Sequence, residues 1–221
     1  MDAASGSLRR HLEALKSLRG PLARPPAMLA AVKRWQSRRL AETYADLASQ
    51  WRYADATAFF LEDLYGAKDF SARDEEMLRI VPVMARVLPE SAVETAALAV
   101  ELEALTESLD QRLAGRLTAP TVTEDDYERA YRETSTREER MRQVDLVQAV
   151  GERLDALVRK PFVGGTLKLM RRPARLAGLA DLQDFLERGH AAFSRMDGAG
   201  EFLAAFRARE SALIARIFER Y

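Results

Sequence analysis

The stretch that decides the fold is residues 92–117, AVETAALAVELEALTESLDQRLAGRL. Its leucines recur every three or four residues, the spacing that places side chains on one face of an α-helix. These leucines are Leu98, Leu102, Leu105, Leu109 and Leu113. The pattern therefore predicts one long helix whose leucine face packs against other helices of an antiparallel bundle.

The same helical spacing recurs through nearly the whole chain, and no stretch alternates apolar and polar residues as a half-buried strand would. The sequence predicts an all-α fold of eight to ten helices, mostly an antiparallel bundle. The predicted helices cover about 8–18, 27–52, 56–64, 72–88, 92–117, 124–132, 137–158, 182–195 and 200–220. The segment 161–178 contains Gly164, Gly165, Pro173 and Gly178, which predict a broken helix or two short ones.

Three of the predicted helices start with a capping signal, in which a hydroxyl residue is followed three positions later by an acid. The hydroxyl can accept a hydrogen bond from a backbone N–H in the first turn, and the acid favours the positive end of the helix. The pairs are Ser71 with Asp74, Ser91 with Glu94, and Thr123 with Asp126. Pro82 removes one backbone donor inside 72–88, so we expect a kink or a break near Ile80.

The chain of 221 residues is long enough for one large domain or two small ones. No fixed-period repeat and no convincing linker is found, which favours one domain over residues 1–221, with a weak boundary near 119–122 as the alternative. The absence of cysteine excludes disulfides, thiolate nucleophiles and cysteine metal sites. No signal-peptide core and no membrane-spanning apolar run is found, so we expect a soluble, cytoplasmic protein.

Charge is unevenly distributed along the chain although the formal net charge is zero. Residues 1–52 carry a net charge of +6, residues 53–140 carry −10, and residues 141–221 carry +4. We favour attraction between these regions inside the fold, while a homo-oligomer held by oppositely charged faces stays open as an alternative. Neutral net charge and the lack of a helix-turn-helix argue against nucleic acid as a partner.

The segment 59–74, FFLEDLYGAKDFSARD, resembles a signature of an uncharacterised family of bacterial all-helical proteins, and the stretch 159–178 is similar to that family as well. The resemblance covers most of the chain. It implies an all-helical cytosolic protein and carries over no activity, cofactor or catalytic residue. By their chemistry, Phe59, Phe60 and Leu64 predict core anchors, and Gly66 predicts a helix stop.

The strongest local anomaly is a basic segment, since no acid occurs between Asp155 and Asp181. Its cations alternate with apolar residues, a combination that suits an anionic ligand, membrane headgroups, nucleic acid or an acidic protein surface. The candidate binding residues are Arg159, Lys160, Lys168, Arg171, Arg172 and Arg175. Backbone N–H groups near Gly164 and Gly165 could assist anion binding. Neutralisation of the segment by the acidic middle of the chain is the alternative.

A rival hypothesis is a metal- or cofactor-binding bundle, and so an enzyme, centred on Glu187 and His190. Their Glu-x-x-His spacing is half of a di-metal carboxylate motif, and the histidine could also be a haem ligand. An inward carboxylate such as Glu101 would have to complete the site. The other histidine, His11, is not followed by such a motif. We therefore expect a non-catalytic binding protein without a cofactor, acting through residues 159–175.

Overall fold

The computed structural model describes residues 3–20, 26–61 and 71–219, and within them it contains helices and no strand, which confirms the all-α prediction. These residues form eleven helices, nine of which are longer than six residues. The helices are α1 (Ala3–Arg19), α2 (Pro26–Thr43), α3 (Ala45–Ala48), α4 (Ala54–Phe59), α5 (Ser71–Val87), α6 (Glu90–Ala114), α7 (Glu124–Thr134), α8 (Arg137–Val158), α9 (Val163–Leu176), α10 (Ala180–Met196) and α11 (Gly200–Glu219).

The predicted second helix, 27–52, is wrong beyond residue 43, and this is why the described helices outnumber the predicted eight to ten. The chain leaves α2 at Tyr44 and forms the additional short helix α3, and α4 corresponds to the helix predicted at 56–64. The ring of Tyr44 is buried, and its hydroxyl donates a hydrogen bond to Glu210 Oε1 at 2.8 Å. The apolar spacing through 27–52 predicted one straight helix. In the structure the chain turns at Tyr44, and this residue is buried against α11.

The predicted break in 161–178 is also wrong, because α9 is one continuous helix. Pro173 lies in its last turn, where the loss of one backbone donor interrupts little of the helix. Gly178 ends the helix with a left-handed φ of 68°. The N–H groups of Gly178 and Leu179 then donate to the carbonyl oxygens of Arg175 and Ala174, which is the Schellman arrangement of a helix C-terminus.

Three of the other sequence signals have different outcomes. Helix α5 continues through Pro82, so a break near Ile80 is wrong, while a kink there stays a prediction. The cap predicted at Thr123 is confirmed, since its hydroxyl accepts from the backbone N–H of Asp126 at 3.2 Å. The cap predicted at Ser91 is wrong: α6 starts at Glu90, after Pro89 with its φ of −57° and ψ of 143°. Pro89, whose ring fixes φ, is the N-cap residue, and the helix begins two residues before the predicted start, without a side-chain cap.

Some predictions fall outside the described residues, namely Leu64 and Gly66, and the side chains of Ser71 and Asp74. By contrast, Phe59 and Phe60 are buried, which confirms them as core residues.

The main hydrophobic core contains residues from most helices of the bundle. Leu113 and Tyr127, which lie on either side of the alternative boundary at 119–122, both belong to it. A second core lies where α1 packs against α5 and α6, and the α1 residues Leu8, Leu12 and Leu15 are fully buried in it. No described helix combines the length and the apolarity needed to cross a bilayer.

Helix α6 explains part of the uneven charge distribution, because its acids pair with basic residues from both ends of the chain. The ion pairs are Arg19 with Glu103, Lys33 with Glu107, Arg142 with Glu101, and Arg153 with Glu94, at 2.6 to 2.8 Å. Attraction between the basic ends and the acidic middle is therefore confirmed for this helix.

Candidate functional site

The basic segment predicted as a binding surface lies at the end of α8 and along α9, at the surface of the bundle. Helix α9 packs against α10 and α8 with an inner face that includes the buried Ala174 and the half-buried Val163 and Leu167. Gly164 permits a close approach there, since a Cβ at this position would lie only 2.9 Å from His190 Cε1. One face of α9 is thus anchored, and the opposite face is left to solvent.

The outer face of α9 carries a row of large apolar side chains, which we call the apolar line. Its members Phe162, Leu169 and Leu176 are 80%, 80% and 88% exposed. They are spaced seven residues apart, so they follow one another along the same side of the helix every two turns. Single exposed apolar residues are ordinary on protein surfaces, but an aligned group of this size is typical of an interaction site.

All six cations predicted for this site are exposed, but they fall into two groups. Arg159 pairs with Asp155 at 2.8 Å, and Arg171 pairs with Glu187 of α10. The other four form no ion pair with any part of the chain that the structure describes. They are Lys160, Lys168, Arg172 and Arg175.

Three of these unpaired cations border the apolar line and are called the basic flank: Lys168, Arg172 and Arg175. At about 100° per residue, they lie roughly 60° to 120° around the helix from Leu169, all on the same side. Arg171 lies further round, at about 160°, which is why it meets α10 instead of solvent. The surface therefore consists of a line of apolar bulk with a parallel row of positive charge beside it.

The ion pair between Arg171 and Glu187 fastens α9 to α10. Arg171 Nε donates to both carboxylate oxygens of Glu187, at 2.7 and 2.8 Å. Arg171 Nη2 donates to Glu187 Oε2 at 2.5 Å. Gln183 Nε2 donates to the same carboxylate at 2.7 Å. These hydrogen bonds from Arg171, and then from Gln183, lower the pKa of Glu187 to about 2. Both oxygens of the predicted metal-ligating carboxylate are thus already engaged.

The residues of the rival hypothesis are engaged in separate contacts. The ring of His190 lies against Gly164, with its Nδ1 at 3.4 Å from Ser194 Oγ. Glu101 lies on α6, whereas Glu187 and His190 lie on α10. Glu101 pairs with Arg142, and its carboxylate is 3.9 Å from His11 Nε2. Across the described ranges, no group of three or more histidine, aspartate and glutamate residues is placed to hold a metal ion. Glu187 and His190 therefore gain no further ligand there.

A second polar cluster, which the sequence interpretation missed, lies inside the bundle. Arg39 donates to Glu210 at 2.6 Å, and Tyr44 donates to the same carboxylate. Gln36 Nε2 donates to the buried Asp110 at 2.8 Å. Burial raises the pKa of Asp110 to about 6, although the hydrogen bond from Gln36 acts in the opposite direction. Ionisable groups are therefore collected where helices α2, α6 and α11 meet.

Arg140 is the most unusual member of this interior cluster, because it is only 2% exposed. Its Nε donates to Ser135 Oγ at 2.9 Å, and its guanidinium lies 3.8 Å from the ring centre of Tyr131. A sequence signal for this position does exist. Arg140 lies one turn before the buried Val144, so a charged residue falls in the core-facing register of α8.

Comparison with known families places the chain in a group with no assigned activity. The description that matches, Domain of unknown function (DUF8198), covers residues 22–221. The chain belongs to this family. No curated protein and no solved structure matches it. Membership agrees with the resemblance to an uncharacterised family, whereas the bacterial origin and the motif at 59–74 stay predictions. A functional hypothesis for this DUF8198 protein must accordingly come from its own geometry.

Proposed function

We propose that this protein is a non-catalytic binding protein that attaches to anionic lipid headgroups through the outer face of α9. The observation that carries the proposal is the exposed apolar line with the unpaired basic flank beside it. In this arrangement Arg171 holds α9 on α10, while the basic flank and Lys160 are available for the anionic surface.

The physical basis is the behaviour of amphipathic helices that lie in the plane of a membrane surface. Phenylalanine and leucine side chains enter the boundary between headgroups and acyl chains, and lysine or arginine side chains contact the phosphates. Each cation close to an anionic leaflet contributes about 1 kcal/mol. The apolar line supplies the first kind of contact and the basic flank supplies the second.

The spacing of the apolar line favours a flat surface over the groove of an acidic protein partner. A helix that binds in a groove presents anchors at i, i+3, i+4 and i+7. Between Phe162 and Leu169 the intermediate positions are Gly165 and Thr166, and between Leu169 and Leu176 they are an arginine and a proline. These positions supply no apolar anchor, whereas a lipid surface needs none at this spacing.

Sedimentation with lipid vesicles tests the proposal. We expect the protein to sediment with vesicles that mix phosphatidylcholine and phosphatidylglycerol, but to stay in solution with phosphatidylcholine alone. Added salt should weaken the association, because it screens exposed charges. Failure to bind the anionic vesicles would contradict the proposal.

Charge reversal in the basic flank provides the matched comparison. R172E/R175E should weaken vesicle binding at least about 30-fold, from about 1 kcal/mol for each cation lost. The control R34E/R38E makes the same charge change at exposed positions of α2, a helix that packs mainly against α6. It should bind like the original protein. An equal loss in both variants would mean that only net charge matters.

The apolar line is tested separately with F162A/L169A/L176A, which removes bulk without changing charge. Vesicle binding should fall, while the midpoint of unfolding should hardly move, because these side chains bury little surface in the fold. Retention on a polyglutamate resin with no binding to anionic vesicles would favour an acidic protein partner and reject the lipid surface.

A further inference from the structure

Trp51 is a large exposed apolar side chain that lies outside α9. It is 77% exposed, in the turn between α3 and α4. Tryptophan carries one of the largest apolar surfaces of any residue and is highly buried on average, so exposure of this degree is unusual. The other tryptophan of the chain, Trp35, stacks on the ring of Tyr127 with ring centres 3.8 Å apart. The two tryptophans therefore have opposite environments, and Trp51 is the one that water largely surrounds.

The turn that carries Trp51 is held in place by the residues around it. Leu47 and Tyr53 are buried in the main core. Arg52 Nε donates to the carbonyl oxygen of Met196, the last residue of α10, at 2.6 Å. The backbone at Trp51 is thus fixed to the core and to the end of α10, and this fixed backbone keeps the indole in solvent.

Trp51 lies at the same end of the bundle as the start of the apolar line. A Cβ at Gly198 would lie 3.3 Å from Arg159 Nη2 and 3.8 Å from Arg52 Nη2, so these two nitrogens are at most about 7 Å apart. Arg52 follows Trp51 directly. Arg159 lies three residues before Phe162, in the turn that leads into α9. The two exposed aromatic residues therefore flank the loop between α10 and α11.

The surroundings of Trp51 favour a lipid surface over a protein partner. The exposed residues just before it are Ala48, Ser49 and Gln50, which add no large apolar side chain. A tryptophan that anchors a protein complex is normally surrounded by packed neighbours, whereas a tryptophan at a membrane surface acts singly at the depth of the headgroups. Lys160, exposed and without an ion pair among the described residues, lies in the turn before α9 and supplies positive charge for lipid phosphates.

We propose that Trp51 is a second membrane anchor, whose indole enters the headgroup region of the same anionic bilayer that the apolar line contacts. This inference rests on the proposed lipid binding of α9 and deepens it by fixing which end of the bundle faces the membrane. Contact through α9 alone leaves the protein free to roll about the helix axis, whereas a further anchor outside the helix selects one orientation. Trp51 thus contributes to orientation as well as to affinity.

Tryptophan fluorescence on vesicles of phosphatidylcholine and phosphatidylglycerol tests the inference. The emission of the original protein should shift to shorter wavelength on the vesicles, because the indole of Trp51 leaves water. The shift should be absent from W51F, in which Trp35 is the remaining tryptophan. Phosphatidylcholine brominated close to the headgroup, mixed into the same vesicles, should quench the emission of the original protein but not that of W51F.

Sedimentation of W51A with the same vesicles measures what the side chain contributes to binding. The affinity should fall about tenfold, since one large apolar side chain no longer leaves water on binding. The control L88A shortens another exposed apolar side chain, between α5 and α6, and should bind like the original protein. The midpoint of urea denaturation should hardly move in W51A, because the indole buries little surface in the fold.

The outcomes separate failure of this inference from failure of the proposed function. If the original protein does not sediment with the anionic vesicles, both are overturned. If it sediments but its emission and quenching match those of W51F, or if W51A keeps the full affinity, only the role of Trp51 is overturned. An emission shift with polyglutamate and none with anionic vesicles would assign Trp51 to an acidic protein surface and reject the lipid contact.

Discussion

Two arginine–glutamate pairs, one on α9 and one in the interior, show what burial does to the same chemistry. Arg171 and Glu187 have side chains that are 55% and 21% exposed, whereas the side chains of Arg39 and Glu210 are 20% and 11% exposed. Each carboxylate also accepts a second hydrogen bond, from Gln183 in the first pair and from a tyrosine in the second. An exposed pair competes with water, but a buried pair cannot be broken without leaving a charge that water does not reach.

The largest expected effect comes from breaking the interior pair. E210A should lower the free energy of unfolding by about 3 kcal/mol or more, because it leaves the Arg39 guanidinium without its carboxylate partner in the interior of the bundle. The matched surface variant E187A should lose far less, since exposed ion pairs contribute little. Urea denaturation of both variants measures the difference.

A second substitution tells whether the unpaired charge is the cause of that loss. Adding R39M to E210A removes the charge itself and should recover part of the lost stability, because an apolar side chain of similar length can fill the space. Equal losses in E210A and E187A, or no recovery in the double variant, would mean that burial does not distinguish the two pairs.

The next effect is a pH dependence of stability that has opposite signs at two carboxyl groups, the buried Asp110 and the partly exposed Glu187. Burial raises the pKa of Asp110 to about 6 from 3.8, so between these values the folded state holds more protons than the unfolded state. Stability due to Asp110 should therefore fall as pH rises from about 4 to 6, by up to about 3 kcal/mol. Glu187, with its lowered pKa, should lose its contribution only as pH falls below about 4.5 toward 2.

Urea denaturation of D110N at several pH values isolates the interior group. The variant should gain stability relative to the original protein as pH rises through this window, because an amide does not ionise. The same variant should show no such change between pH 7 and pH 8, where Asp110 is ionised throughout. A difference between the two proteins that stays constant from pH 4 to pH 7 would contradict the raised pKa.

The smallest expected effect separates the inner and outer sides of α9 at two adjacent glycines. A Cβ at Gly165 would meet nothing within 4 Å, whereas one at Gly164 would lie 2.9 Å from His190. G165A should therefore raise the free energy of unfolding by about 0.5 kcal/mol, because alanine lowers the conformational entropy of the unfolded chain. G164A should lower stability, because His190 must move. Equal effects of the two changes in thermal unfolding would mean that α9 does not pack as described.

Helix boundaries are predicted correctly from the sequence where the signal that sets them is local. The helix predicted at 137–158 is observed as Arg137–Val158, and its start is marked by Thr136 and Glu139, which form a reciprocal cap. Thr123 likewise marks the start of α7. The helix predicted at 27–52 ends instead at Thr43, and the next residue, Tyr44, donates to Glu210, which is distant in sequence. No local window contains that partner.

The candidate surface shows the same division. The position of the basic segment follows from the absence of acids in the sequence alone. Which cations are paired depends on where Asp155 and Glu187 lie in space. The exposure of the apolar line depends on which face of α9 packs against α10 and α8. The proline and three glycines predicted a broken helix, but α9 is continuous and packed against α10, and the hydrogen bonds of Gly178 and Leu179 close its C-terminus.

The sequence by itself determined that this chain is helical, where most helices lie and where positive charge collects, because periodicity, caps and composition act over a few residues. Only the tertiary structure decided that Arg140 has no ion-pair partner within the described residues and that Phe162 and Leu169 are left in solvent. Burial and pairing are properties of side chains from distant helices brought together. An arginine is an exposed surface charge or a buried interior residue according to what the fold places beside it.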